Sequence, residues 1–143
     1  REALLAEIDS RLRSQAVCAS LIWSVDEAAD VGLLDVLPAR ATKLHAVEFL
    51  AAELGIARER LVFAGDSGND LPVLVSGMQA VLVRNAHAEV RAQATQEVAA
   101  KGLAGKLYLA QGDFMDMNGN YSAGVLEGLA HFVPETVRWL SEV

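Results

Sequence analysis

Leu4, Leu5, Ile8 and Leu12 recur at helical spacing between Glu, Asp and Arg, which predicts an amphipathic helix over about residues 2–14. The run 16–25 (AVCASLIWSV) is apolar and carries branched and aromatic residues, and 31–38 (VGLLDVLP) is a second short apolar run. With DEAAD between them as the turn, the two predict a hairpin. From residue 41 the pattern changes. Leu44, Val47, Leu50, Ala51 and Leu54 mark one face of a helix that Gly55 stops. Beyond it an alternating unit begins: a strand at 61–66 (LVFAGD), a helix at 69–76, a strand at 79–83, a helix at 87–99 and a strand at 106–110. Helices and short apolar strands at this spacing predict a parallel sheet covered on both faces. A loop rich in Gly, Asp and Asn (111–122) then leads to a helix with Val125, Leu126, Leu129 and Phe132 on one face. Pro134 suits the first position of a last helix running through Trp139 and Leu140.

Composition narrows the class. With 143 residues, 52% of them hydrophobic, the chain can bury a core as one domain or as parts of two. Charged or polar residues break every apolar run before the roughly 18 residues that a membrane span needs, so a soluble protein is expected. The single cysteine, Cys18, permits no internal disulfide and fits a reducing cytoplasm; its apolar neighbours predict a buried structural thiol. Nineteen acidic against 12 basic residues give a net charge of -7, with no Lys/Arg cluster to neutralise a nucleic-acid backbone. An acidic chain repels a phosphorylated substrate at long range, so a phosphate site here needs a metal or a placed lysine beside it.

Gly65, Asp66, Ser67, Gly68, Asn69 and Asp70 follow an apolar strand directly and precede a helix. Ligands of open parallel sheets bind at the carboxyl ends of strands, and two carboxylates four residues apart can gather around a hard cation such as magnesium. The same residues also make an ordinary helix N-cap, with Asp66 or Ser67 capping and Asn69 and Asp70 in the first turn; spacing alone leaves both readings open. Other motifs fail. Counted from Asp66, the sixth and twelfth positions hold Leu71 and Gly77, which excludes an EF-hand loop. GLAGK (102–106) is too short for a P-loop and reads as a turn, and His45, His87 and His131 share no metal-ligand spacing. Lys43 opens the helix after the hairpin; near the same sheet edge its ammonium could neutralise a phosphoryl oxygen, and by itself it is a solvated helix residue.

Together GDSGND and Lys43 resemble the acidic motif and the phosphate-binding lysine of haloacid dehalogenase phosphatases, in the Cof-like branch with an inserted α/β cap. LDVLPARATK followed by AVEFLAAELGIARERLVFAGDSGND, and the ending NGNYSAGVLEGLAHF, are most similar to sucrose-phosphate phosphatases and the phosphatase regions fused to sucrose-phosphate synthases. The resemblance implies an α/β, Rossmannoid core with helices on both sheet faces over residues 41–143, and the last part of a cap over 1–40. It also implies a magnesium-dependent phosphatase of a sugar phosphate. Asp66 then corresponds to the side-chain magnesium ligand, Asp70 to the second acidic position that supports the metal site, Asn69 to a position close to the phosphate, and Lys43 to the phosphate-binding lysine. Asp35 and Arg40, near the cap boundary, are candidates for the sugar hydroxyls, with a surface salt bridge as the alternative.

The departure from the family is at the nucleophile. Residues 1–143 contain no D-x-D-G-T motif, whose first aspartate would attack phosphorus and whose second would act as general acid and base. The nearest string, Asp116-Met117-Asn118-Gly119, has asparagine in place of the acid and reads as a turn. These residues therefore read as a truncated portion of a sucrose 6-phosphate phosphatase, inactive by itself. The alternatives are a phosphatase of a related disaccharide phosphate such as mannosylfructose phosphate, or a non-catalytic binding or regulatory module completed by a partner strand, domain swapping or oligomerisation. A sucrose-phosphate synthase, fused or associated, is a candidate partner. A response-regulator phosphoacceptor would need its lysine after the aspartates, and here Lys43 precedes Asp66.

Overall fold

A computed structural model of the chain describes residues 1–26, 29 and 31–141, which divide into two compact units, 1–48 and 49–143. In the first unit, α1 (Glu2–Ser14) precedes the antiparallel strands β1 (Ala19–Asp26) and β2 (Val31–Pro38). The predicted hairpin is thus present; of its DEAAD turn, residues 27, 28 and 30 lie outside the described residues. Trp23 packs its indole over Gly32, where a Cβ would come within 2.2 Å of the ring. Glu7–Arg11 and Asp9–Arg13 pair one turn apart along α1, an exposed arrangement that adds little to stability.

Among the residues of this unit whose side chains are described, none is buried. Cys18 is accordingly exposed, which corrects the expectation of a buried thiol. A helix and two strands offer an apolar run only one covering layer, and the run's own hydrophobicity cannot supply a second. Helix α2 (Lys43–Glu53) begins in this unit and ends in the next. It stops as predicted: Gly55 takes a left-handed φ of 63°, the Ile56 N–H reaches the Ala51 carbonyl and the Gly55 N–H that of Ala52, a Schellman ending. Of its predicted apolar face only Ala51 is buried, while Leu50 and Leu54 are exposed.

The second unit carries the parallel sheet. Strands β3 (Val62–Gly65), β4 (Gln79–Leu82) and β5 (Leu107–Leu109) lie in that order, with Ala64 opposite Val81 and Val81 opposite Tyr108. Helix α3 (Leu71–Leu74) follows β3, α4 (Ala88–Ala100) follows β4, and α5 (Tyr121–Phe132) and α6 (Thr136–Ser141) follow β5. Alternation along β4 sends Ala80 and Leu82 to one face, where they meet Leu74, Val75, Ala94 and Val98 of the α3 and α4 layer. Val81 and Val83 face the other way, onto α5. Their neighbours there are Gly128, whose Cβ would come within 2.1 Å of Val81, and Gly124, whose Cβ would come within 3.0 Å of Val83. Both faces of the sheet are covered, as the pattern predicts.

Some details differ from the pattern. The buried stripe of α5 is Gly124, Glu127 and Gly128, with β4 too close at the two glycines to leave room for a side chain, whereas Val125 from the predicted apolar face is exposed. Pro134 leads a turn in which Thr136 N–H reaches the Val133 carbonyl, so α6 starts two residues after it. GLAGK ends in a 3-10 turn (Ala104–Lys106), as read from the sequence; the turn read at Asp116–Gly119 instead lies one step earlier, since Asp116 closes the 3-10 turn Phe114–Asp116 and Met117 is already extended.

Candidate functional site

The carboxyl ends of the three strands lie side by side: Val83 N–H donates to the Gly65 carbonyl at 3.2 Å, and Ala110 N–H to the Leu82 carbonyl at 3.0 Å. Three loops therefore share one sheet edge, after β3 (66–70), β4 (83–87) and β5 (110–120). The edge of an open parallel sheet is where backbone ends splay and ligands enter.

In the first loop the two aspartates do different things. Asp70 is 4% exposed, and its Oδ2 accepts the backbone N–H of Asp66 at 3.1 Å and of Ser67 at 3.2 Å. Ser67 Oγ lies 3.1 Å from the same oxygen and 2.7 Å from Asn69 Oδ1, so its single proton serves one or the other. Ser67 is the N-cap of the 3-10 turn Gly68–Asp70, with Asp70 closing a reciprocal capping box, and Pro72 follows in the first turn of α3. This arrangement needs glycine at 65, since a Cβ there would meet the Asp70 Cβ and Cγ at 2.6 Å. The Asp66 side chain is exposed, and its carboxylate meets no donor among the described residues. The cap and the site are thus not rival descriptions of the loop: Ser67 and Asp70 cap, and the cap presents Asp66 at the strand end.

Lys43, Arg40 and Asp35 belong to the first unit. Lys43 takes the first position of α2, where the Thr42 hydroxyl caps the His45 N–H at 3.1 Å. Arg40 sits in the turn after β2, and Asp35 lies in mid-β2 opposite Ile22. Both are exposed, and among the described residues no ion pair joins them. His45 and His131 are exposed, and His87 sits at the N-cap of α4 without a side-chain capping bond. Among the described residues no three His, Cys, Asp or Glu side chains converge as a metal cluster.

The third loop is tied down by a residue that the sequence reading passed over. Glu127 of α5 is 5% exposed; its Oε1 accepts the Tyr108 hydroxyl at 2.9 Å and the Gln111 N–H at 2.7 Å, and its Oε2 the Gly112 N–H at 2.9 Å. At its far end the loop's Gly119 carbonyl takes the Arg84 N–H at 2.9 Å, and the Arg84 guanidinium bonds the Asn118 carbonyl at 3.2 Å. Burial and the Glu127 carboxylate push the Tyr108 phenol up to about 12, so it stays protonated and donating at neutral pH. A glutamate between two glycines four apart (GVLEG) is the sequence signal for such a buried latch, and it is visible only once the glycines are read as a close helix–sheet contact.

Known proteins bear on the chain as follows. Residues 1–133 match the family described as sucrose-6F-phosphate phosphohydrolase. A HAD-like hydrolase of Nitrosococcus oceani is 56% identical over 139 residues, which are 97% of this chain and 37% of that protein. The mannosylfructose-phosphate phosphatase of Agrobacterium fabrum is 29% identical over 131 residues, 91% of this chain and 45% of that protein. Among solved structures, the sucrose-phosphatase of Synechocystis, in complex with sucrose and phosphate, superposes with a TM-score of 0.66 at 24% identity, over 90% of this chain and 46% of its own. The haloacid dehalogenase-like hydrolase yhjK of Bacillus subtilis gives 0.55 at 22% identity, over 91% and 40%. The parallel sheet with its helices is therefore a haloacid dehalogenase-like fold. The chain spans less than half the length of the curated relatives it matches. With nearly its whole length matched, the chain belongs to the sucrose-6F-phosphate phosphohydrolase family.

Proposed function

We propose that these residues carry the metal-side and phosphate-side groups of a magnesium-dependent sugar-phosphate phosphatase, with sucrose 6-phosphate as substrate. The observation that carries this reading is the division of labour in the loop after β3. Asp70 spends its carboxylate on the loop's own N–H groups, and Asp66 is left as an exposed carboxylate at the strand end that receives no hydrogen bond among the described residues. That donor set fits magnesium, which is held through one or two carboxylates and keeps water and substrate phosphate as its other ligands. When bound, the cation would neutralise phosphoryl charge.

Each remaining role falls to a residue of the chain. Asp66 would hold the metal side of the phosphate, and Asp70 would fix the Asp66 backbone and support the metal site through water. Asn69 would lie close to a phosphoryl oxygen, and the Lys43 ammonium would stabilise charge on another as it builds up. An aspartate outside residues 1–143 would attack phosphorus, break the bond to the sugar oxygen and form an aspartyl phosphate that water hydrolyses. Residues 1–40 would then be the last part of a cap and 41–143 the last part of the core, with Asp35 and Arg40 placed to meet sugar hydroxyls. A sucrose-phosphate synthase, fused or associated, would supply the substrate, in the cytoplasm. Similarity to a mannosylfructose-phosphate phosphatase favours one second reading, a related disaccharide phosphate as substrate.

Phosphate release from sucrose 6-phosphate and from mannosylfructose phosphate decides among these. Residues 1–143 alone should release none; joined to a segment bearing the attacking aspartate they should turn over with magnesium, and Asp66→Ala should cut the rate by about a hundredfold or more. An active joined protein indifferent to Asp66→Ala would sink the reading, and the ratio of the two rates assigns the sugar.

A further inference from the structure

Away from the Asp66 loop, between the end of β5 and helices α5 and α6, lies a hollow of about 410 Å3. Tyr108, Gln111, Asp113, Phe114, Glu127 and His131 give it its chemistry. We propose that this hollow binds a neutral, polyhydroxylated ligand of sugar size. The inference stands apart from the phosphatase reading, since it uses none of the residues assigned there.

Charge removes the first competitor. Among the described residues no Lys or Arg lines the hollow, while Asp113 and Glu127 do, so a phosphate or carboxylate ligand would meet like charge. An organic cation fares little better. The Glu127 charge is already met by three donors, the phenol of Tyr108 and two backbone N–H groups. Asp113 is exposed and screened by water. A cation also needs open aromatic faces, and one face of Tyr108 is covered by His131, stacked at 4.4 Å between ring centroids.

What remains open suits hydroxyl groups. Because the Tyr108 proton is committed to Glu127, its oxygen turns only lone pairs to the hollow; the burial that raises its pKa to about 12 keeps this so at any physiological pH. Among the described residues the Asp113 carboxylate and the Gln111 side-chain amide make no hydrogen bond or ion pair, so one offers acceptors and the other both donors and an acceptor. The half-buried Phe114 adds an apolar face for ring C–H groups. Acceptors in excess, one amide and one ring match a ligand with many O–H donors and an apolar face. The latch on Gln111 and Gly112 holds the rim in place before any ligand arrives, which lowers the cost of binding.

The test is a titration of the chain, followed by 15N–1H spectra, with sucrose, choline and inorganic phosphate in turn. Sucrose should shift the amides of Gln111, Gly112 and Asp113 in a saturable, millimolar-range isotherm, and choline and phosphate should leave them in place. Asp113→Ala, at an exposed position without a hydrogen bond among the described residues, should keep the fold and weaken sucrose about fivefold; Phe114→Ala should do the same with its melting curve recorded alongside. No saturable shift by about 50 mM sucrose, tighter binding of choline, or a sucrose isotherm unchanged in Asp113→Ala would each overturn the proposal.

Discussion

β2 and β4 are both short apolar strands, and they end in opposite environments. Ala80, Val81 and Leu82 of β4 are 0% exposed, whereas Val31, Leu33 and Val36 of β2 remain 46–49% exposed. Their side chains are of the same kind, so composition does not separate them. Position does: β4 has a strand on each side, α3 and α4 on one face and α5 on the other. Among the described residues β2 pairs with β1 alone. Apolar sequence makes a strand in both cases, and only a second layer turns it into core.

The sharpest way to break this comparison is to truncate one side chain in each strand. Leu82→Ala should cost about 3 kcal/mol in urea-induced unfolding of the second unit, because it removes a fully buried side chain and leaves a cavity. Val36→Ala should cost about 0.5 kcal/mol at most. Equal losses would mean that β2 is as well packed as β4.

Glu127 tests whether the layer above β4 depends on polar satisfaction as well as on fit. Glu127→Leu keeps the bulk and removes every acceptor, leaving the N–H groups of Gln111 and Gly112 and the Tyr108 hydroxyl without their partner. A loss of about 2 kcal/mol is expected, with faster amide exchange at Gln111 and Gly112 and unchanged exchange in α4. Stability equal to wild type would show the latch to be dispensable.

A smaller effect than that of Glu127→Leu is the pH dependence of the same contact. Tyr108 holds its proton up to about 12 in the folded chain, against about 10 unfolded. Its contribution is therefore complete below pH 10, and is lost as pH rises from 10 to 12, since the unfolded chain releases the proton first. The thermal midpoint of wild type should fall over that window by the equivalent of about 1 kcal/mol relative to Tyr108→Phe, after allowance for the partial exposure of the phenol. Parallel pH profiles would mean that Tyr108 does not donate to Glu127.

Much of this molecule is legible in the chain of letters. The change from helix and hairpin to alternating helix and strand, the stop at Gly55 and the acidic loop after β3 all follow from spacing and turn chemistry, which act within a few residues. The motif also marks the family, and the family match extends over residues 1–133. What spacing left open at GDSGND was which aspartate does what. Asp66 and Asp70 are the same residue type four positions apart, and burial of Asp70 over Gly65 assigns one to the cap and leaves the other exposed.

The sequence by itself determined which stretches form helices and strands, how they alternate and which strand end bears the carboxylates, because these depend on near neighbours in the chain. Only the tertiary structure decided that Cys18 is exposed, that α5 buries glycines and a glutamate in place of Val125, and that Glu127 latches a loop 15 residues earlier. Those outcomes are set by which surface another element covers, and covering is a contact between residues far apart in sequence, which no local period records.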